Sequence, residues 1–115
     1  MIFTFILDSR CVQKTFLTWH LLVNPIFQVI GSQSPWVESI LLGEGASKVT
    51  TLEYNKIQSE HPRVKTLLPD EMADLVNRGQ ANFDGVVTYS SLEHSGLGRY
   101  GDELNPWGDL VSMAR

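Results

Sequence analysis

The stretch Ile26-Phe27-Gln28-Val29-Ile30-Gly31-Ser32-Gln33-Ser34-Pro35-Trp36-Val37-Glu38-Ser39-Ile40-Leu41 decides the fold. Residues 26–30 are short, partly β-branched and largely apolar, the composition of a parallel strand buried on both faces. A turn follows over Gly31 to Ser34, where Ser34 suits a helix N-cap and Pro35 the first helical position. Trp36, Val37, Ile40 and Leu41 then recur on one helical face, and Gly43 and Gly45 mark the helix end. Strand, glycine turn and helix together open a βαβ unit.

Working outward, a second strand is expected at about 49–53, ending on the acid Glu53, and a third at 64–68. Pro69-Asp70-Glu71 opens a second helix with acids in its first turn, and Met72, Leu75 and Val76 give that helix its apolar face before Gly79 ends it. A fourth strand is expected at 83–89. A polar, glycine-rich loop from Ser90 to Gly108 follows, and Asp109 suits the cap of a last helix. Strands separated by helices imply right-handed parallel crossovers. The expected class is α/β, a partial doubly wound (Rossmann-like) parallel sheet with the four strands in the order 3-2-1-4.

The chain has 115 residues, 43% hydrophobic and 19% charged, which suits one small domain. Its formal charge is −4 and no Lys/Arg cluster occurs, so nothing in the sequence argues for nucleic-acid binding. Cys11 is the single cysteine; it excludes an internal disulfide and fits a reducing, cytoplasmic setting. His20, His61 and His94 are not spaced as a helical metal pair, so no metal is expected. Residues 1–25 form a segment of unassigned role, read as an ambiguous strand followed by a helix. The apolar run Met1–Leu7 is stopped by Asp8 and Arg10, too early for a secretory signal. The run Thr15–Ile30 is broken at Trp19-His20 and Asn24-Pro25, short of the about 20 apolar residues of a membrane span.

Three groups of residues have the chemistry of a site. Gly31 and Ser32 stand at the end of the first strand, where a glycine lets a ligand approach the backbone. Glu53, at the end of the second, is placed to accept both ribose hydroxyls of a nucleoside. The turn has one glycine only, fewer than a pyrophosphate-binding turn wants, which argues against a nicotinamide dinucleotide. Asp70, after the third strand, could accept from an adenine amino group or simply complement the helix dipole. The long loop carries Ser90, Ser91, Glu93, His94 and Arg99; Glu93 and His94 are candidates for general acid–base work, and Arg99 for clamping a carboxylate or phosphate. Ordinary alternatives stand beside each: a plain strand–helix turn, a solvated strand end and a packed surface loop.

The runs Gly31-Ser32-Gln33-Ser34-Pro35-Trp36-Val37-Glu38, Thr50-Thr51-Leu52-Glu53-Tyr54-Asn55, Phe83-Asp84, Ser90-Ser91-Leu92-Glu93-His94-Ser95-Gly96-Leu97-Gly98-Arg99-Tyr100-Gly101-Asp102 and Asn105-Pro106-Trp107-Gly108-Asp109 closely resemble the domain-of-unknown-function family DUF268, over about residues 26–115. That family is itself similar to class I S-adenosylmethionine-dependent methyltransferases. The resemblance implies that Gly31 and Ser32 match the turn after strand one and Glu53 the ribose-binding acid. It also implies that Ser90 to His94 match the segment flanking the methionine part of S-adenosylmethionine. The second and third glycines of the usual first motif are Gln33 and Pro35 here.

The function expected from this resemblance is that of a truncated methyltransferase-like domain, with S-adenosylmethionine as cofactor and the acceptor unassigned. An inert binding or scaffold module of the same fold, or a fragment without function, are the alternatives. The chain ends at Arg115, where a fourth crossover helix should run, so the C-terminal strands of a methyltransferase sheet are expected to be missing. Strand four would then show an unpaired edge, unless the N-terminal segment covers it. An open edge of that kind promotes self-association.

Overall fold

The computed structural model describes residues 4–6, 22–55, 57–99 and 101–113. The N-terminal apolar segment over residues 7–21, with Cys11 and His20, lies outside the described residues, as does Tyr100. Among the described residues one parallel sheet contains β1 (Thr4–Ile6), β2 (Ile26–Ile30), β3 (Lys48–Leu52), β4 (Val64–Leu67) and β5 (Gly85–Thr88). Its spatial order is β1-β5-β2-β3-β4. The stretch β4-β3-β2-β5 is the expected 3-2-1-4. The other elements among the described residues are helices α1 (Trp36–Gly43), α2 (Pro69–Asn77) and α3 (Gly108–Met113) and a 3-10 turn (Leu92–His94).

Strand β2 is central. Phe27 is in register with Val49 on one side and Gly85 on the other, and Val29 with Thr51 and Val87. Register places Phe27, Val29, Val49 and Val87 on one face, where they meet Val37 and Leu41 of α1 and Ala46 beyond it. All seven are buried, and Gln28 on the opposite face is buried as well. An interior parallel strand covered on both faces explains the unbroken apolar run read in the sequence. At the far end of the sheet Asp84 clamps β2. Its carboxylate accepts the Ile26 N–H at 2.7 Å, and its own N–H donates to the Ile26 carbonyl at 2.8 Å. Asp84 therefore precedes β5 as an anchor, and the strand expected at 83–89 shortens to Gly85–Thr88.

The helix ends depart from expectation in instructive ways. Ser34 does not cap α1 with its side chain; its carbonyl accepts the Trp36 N–H at 2.8 Å, and Pro35 occupies the cap position. At α2 the Glu71 carboxylate reaches back to the Leu68 N–H at 2.8 Å, which is one half of a capping box. Leu68 has no side-chain acceptor for the other half. Of the expected apolar face of α2, Met72 is buried, Leu75 half-buried and Val76 exposed.

The unpaired edge does not occur at β5. Thr4, Phe5 and Ile6 run parallel to Val86, Val87 and Thr88, so β5 is paired on both sides. Backbone groups that would otherwise template another chain are satisfied within this one. Two outcomes follow. Leu41→Ala, at a site 1% exposed, should lower unfolding free energy by about 2–5 kcal/mol in urea titration. A chain lacking residues 1–6 should elute as larger species in size-exclusion chromatography than the full chain, because β5 becomes an open edge.

Candidate functional site

The carboxyl ends of β2, β3 and β5 open on one cleft of about 920 Å³. The chain runs from β2 outward through β3 to β4, then returns to place β5 on the other side of β2. The gap between β2 and β5 is thus a topological switch point, where open α/β sheets hold their ligands. Gly31, Glu53, Ser90, Ser91 and His94 all line this cleft. Ser32, Asp70 and Glu93 do not. Ser32 is buried beneath the turn, whereas Asp70 and Glu93 are exposed on α2 and on the 3-10 turn.

Gly31 has φ +79 and donates its N–H to the Leu52 carbonyl at 3.1 Å, which locks the end of β2 to the end of β3. A Cβ at this position would stand 1.9 Å from the Ser91 Oγ. The glycine is therefore required both by its backbone angle and by the closeness of the loop after β5. Ser90 takes φ +48, unusual for a residue other than glycine, and places its Oγ 3.5 Å from His94 Nε2. Such left-handed residues are held only where surroundings fix them, and they concentrate at functional sites. The Trp36 ring meets Tyr89 edge-on, with centroids 5.2 Å apart, and steadies the same strand end. On the opposite wall Glu53 donates its backbone N–H to the Leu67 carbonyl at 3.1 Å, and its carboxylate accepts the Tyr54 N–H at 2.8 Å.

The long loop is folded by its own polar residues. The Asp102 carboxylate accepts the Gly96 N–H at 2.6 Å and the Gly98 N–H at 3.4 Å. Asn105 donates its N–H to the Gly96 carbonyl at 2.9 Å and accepts the Trp107 N–H on its side chain at 3.0 Å. Asn105 thereby leads the chain into α3. Asp109, the expected cap, instead lies inside the helix and accepts the Leu110 N–H. Gly96 and Gly108 pack backbone against backbone; a Cβ on Gly108 would fall 2.6 Å from the Gly96 Cα. This folding accounts for the density of Gly, Asp and Asn in the loop. Asn105, Asn55 and Gln58 also line the cleft, and nothing in their residue type alone marks them in the sequence.

A family model described as Caenorhabditis protein of unknown function, DUF268, matches residues 27–115. The chain belongs to the DUF268 family. The matched span runs from β2 to residue 115 and contains every described residue that lines the cleft. No curated protein and no solved structure matches this DUF268 chain.

The contact at Gly31 can be measured. Gly31→Ala should destabilise the protein by more than the about 1–2 kcal/mol cost of a left-handed alanine, because Ser91 must also move. Adding Ser91→Gly should recover the steric part and leave the backbone part. A double-mutant cycle in urea gives both terms, with non-zero coupling as the expected result.

Proposed function

We propose that this DUF268 chain binds S-adenosylmethionine in the cleft, as a methyltransferase-like domain whose acceptor is unassigned. The observation that carries the reading is the convergence of Gly31, Glu53 and the Ser90–Ser91 pair at the switch point of the sheet. Glu53 stands where a carboxylate can accept the two ribose hydroxyls. Gly31 offers a backbone without a side chain beside it. Ser90, Ser91 and His94 stand across the cleft, on the side that the methionine part would occupy.

The lining suits this cofactor better than a dinucleotide. Among the described residues the cleft wall holds Glu53, Asp102 and Glu103 and no lysine or arginine; Lys56 lies outside the described residues. Acidic walls favour a sulfonium cation, whereas a pyrophosphate wants N–H groups and positive charge. His94 is the group best placed to take a proton from an acceptor as its methyl group arrives; Glu93, exposed outside the cleft, is not. Asp70 has no part in this reading, since it stands outside the cleft at the first turn of α2.

Calorimetric titration of the full chain should give a binding heat with S-adenosylmethionine and none with a nicotinamide dinucleotide. Glu53→Ala should weaken that binding by about 1.5–3 kcal/mol, the range for hydrogen bonds to a charged group. Absence of heat with S-adenosylmethionine would remove the reading; unchanged affinity in Glu53→Ala would remove Glu53 from the site.

A further inference from the structure

Glu38 is fully buried, at 0% exposure, on the inner side of α1 between Val37 and Leu41. Its two carboxyl oxygens accept from two different elements. Thr51 Oγ1 on β3 donates to Oε1 at 2.6 Å, and Ser32 Oγ in the turn after β2 lies 3.0 Å from Oε2. The Ser32 hydroxyl also lies 2.6 Å from the Ser34 carbonyl, so its one proton is shared between the turn and the carboxyl. Both hydroxyl partners are themselves buried, Thr51 to 1% and Ser32 to 3% exposure.

Stability alone does not account for an acid at this place. Burying a carboxyl costs free energy that hydroxyl partners only partly return. Apolar replacement of buried ionisable groups is often neutral or stabilising. What an apolar side chain cannot supply is direction: two hydrogen bonds that fix the turn after β2 relative to β3. Ser32 adjoins Gly31, and Thr51 lies on the strand that leads to Glu53.

We propose that Glu38 is a positioning residue, a bracket that sets the spacing between Gly31 and Glu53 on the wall of the cleft formed by the ends of β2 and β3. Its consequence for ligand binding rests on the S-adenosylmethionine reading; the bracket itself does not. A glutamine can keep the bracket. Its oxygen accepts from Thr51, and its amide donates to Ser32, whose proton then goes to Ser34. A leucine cannot.

The test is amide hydrogen exchange on the full, ligand-free chain, read at Gly31 and Glu53, whose N–H groups donate to Leu52 and Leu67. Val29 and Val87 serve as core references. In Glu38→Leu the Gly31 and Glu53 amides should exchange about tenfold faster, the equivalent of one lost hydrogen bond, with the core references unchanged or slower. Thr51→Val, nearly isosteric, should accelerate the same two amides, and Glu38→Gln should match the parent. Should Glu38→Leu not fold, Thr51→Val and Glu38→Gln still decide the matter. The proposal is overturned if the Gly31 and Glu53 amides keep parental rates in Thr51→Val or in a folded Glu38→Leu, if Glu38→Gln accelerates them as much as Thr51→Val does, or if loop and core accelerate together. S-adenosylmethionine titrations of the same proteins form a separate arm. If the parent binds, Thr51→Val should bind about tenfold more weakly and Glu38→Gln as the parent does. If the parent does not bind, the cofactor reading fails while the exchange data still judge the bracket.

Discussion

Strand β2 is hydrogen-bonded on both sides, to β3 and to β5, and the geometry of the cleft depends on that double pairing. The register is fixed at the amino end by the Asp84–Ile26 clamp and at the carboxyl end by the bond from Gly31 to Leu52. A slip of one residue would exchange Phe27 and Val29 with Gln28 and Ile30 and turn the apolar set away from α1. Because the slip is costly, Gly31, Glu53 and Ser90 reach the carboxyl edge with little freedom between them. The loops inherit their order from the sheet.

The two walls of the cleft are stiffened differently. The wall after β2 and β3 is held from below, by side-chain bonds inside the core. The wall after β5 is held from within its own loop, by Asp102, Asn105 and the contact of Gly96 with Gly108. This loop brings Ser90, Ser91, His94, Asp102 and Asn105 to the cleft.

Much of this was legible in the sequence, because the sheet is specified by local signals. The apolar run 26–30, the glycine after it and the helical spacing from Trp36 gave the βαβ unit, and the repetition of strands and helices gave the order β4-β3-β2-β5. What escaped depends on contacts distant in the chain. Glu38 looks like a solvated helix acid until its place on the Val37–Leu41 arc is weighed against its type. The pairing of β1 with β5 has no local signal at all, since a three-residue strand carries no period. Ser34 has the right residue type for a cap, yet the turn directs its carbonyl rather than its hydroxyl to the helix. For the cleft lining, residue type and strand-end position were enough to bring Gly31, Glu53 and Ser90 to one place. They were not enough for Asp70, because β4 lies at the sheet edge, away from the switch point.

The place of β1 also bears on how the chain acquires its structure. Thr4 meets Val86, and Ile6 meets Thr88, so of the described strands β1 lies furthest in sequence from its partner. During synthesis the N-terminal residues leave the ribosome long before their partner strand exists. The β2-α1-β3 unit can form early from neighbours in sequence, but β1 must wait, and loop closure over most of the chain opposes its docking. Seating β1 on β5 therefore closes a loop over most of the chain, whereas the pairing of β2 with β3 closes one of about twenty residues.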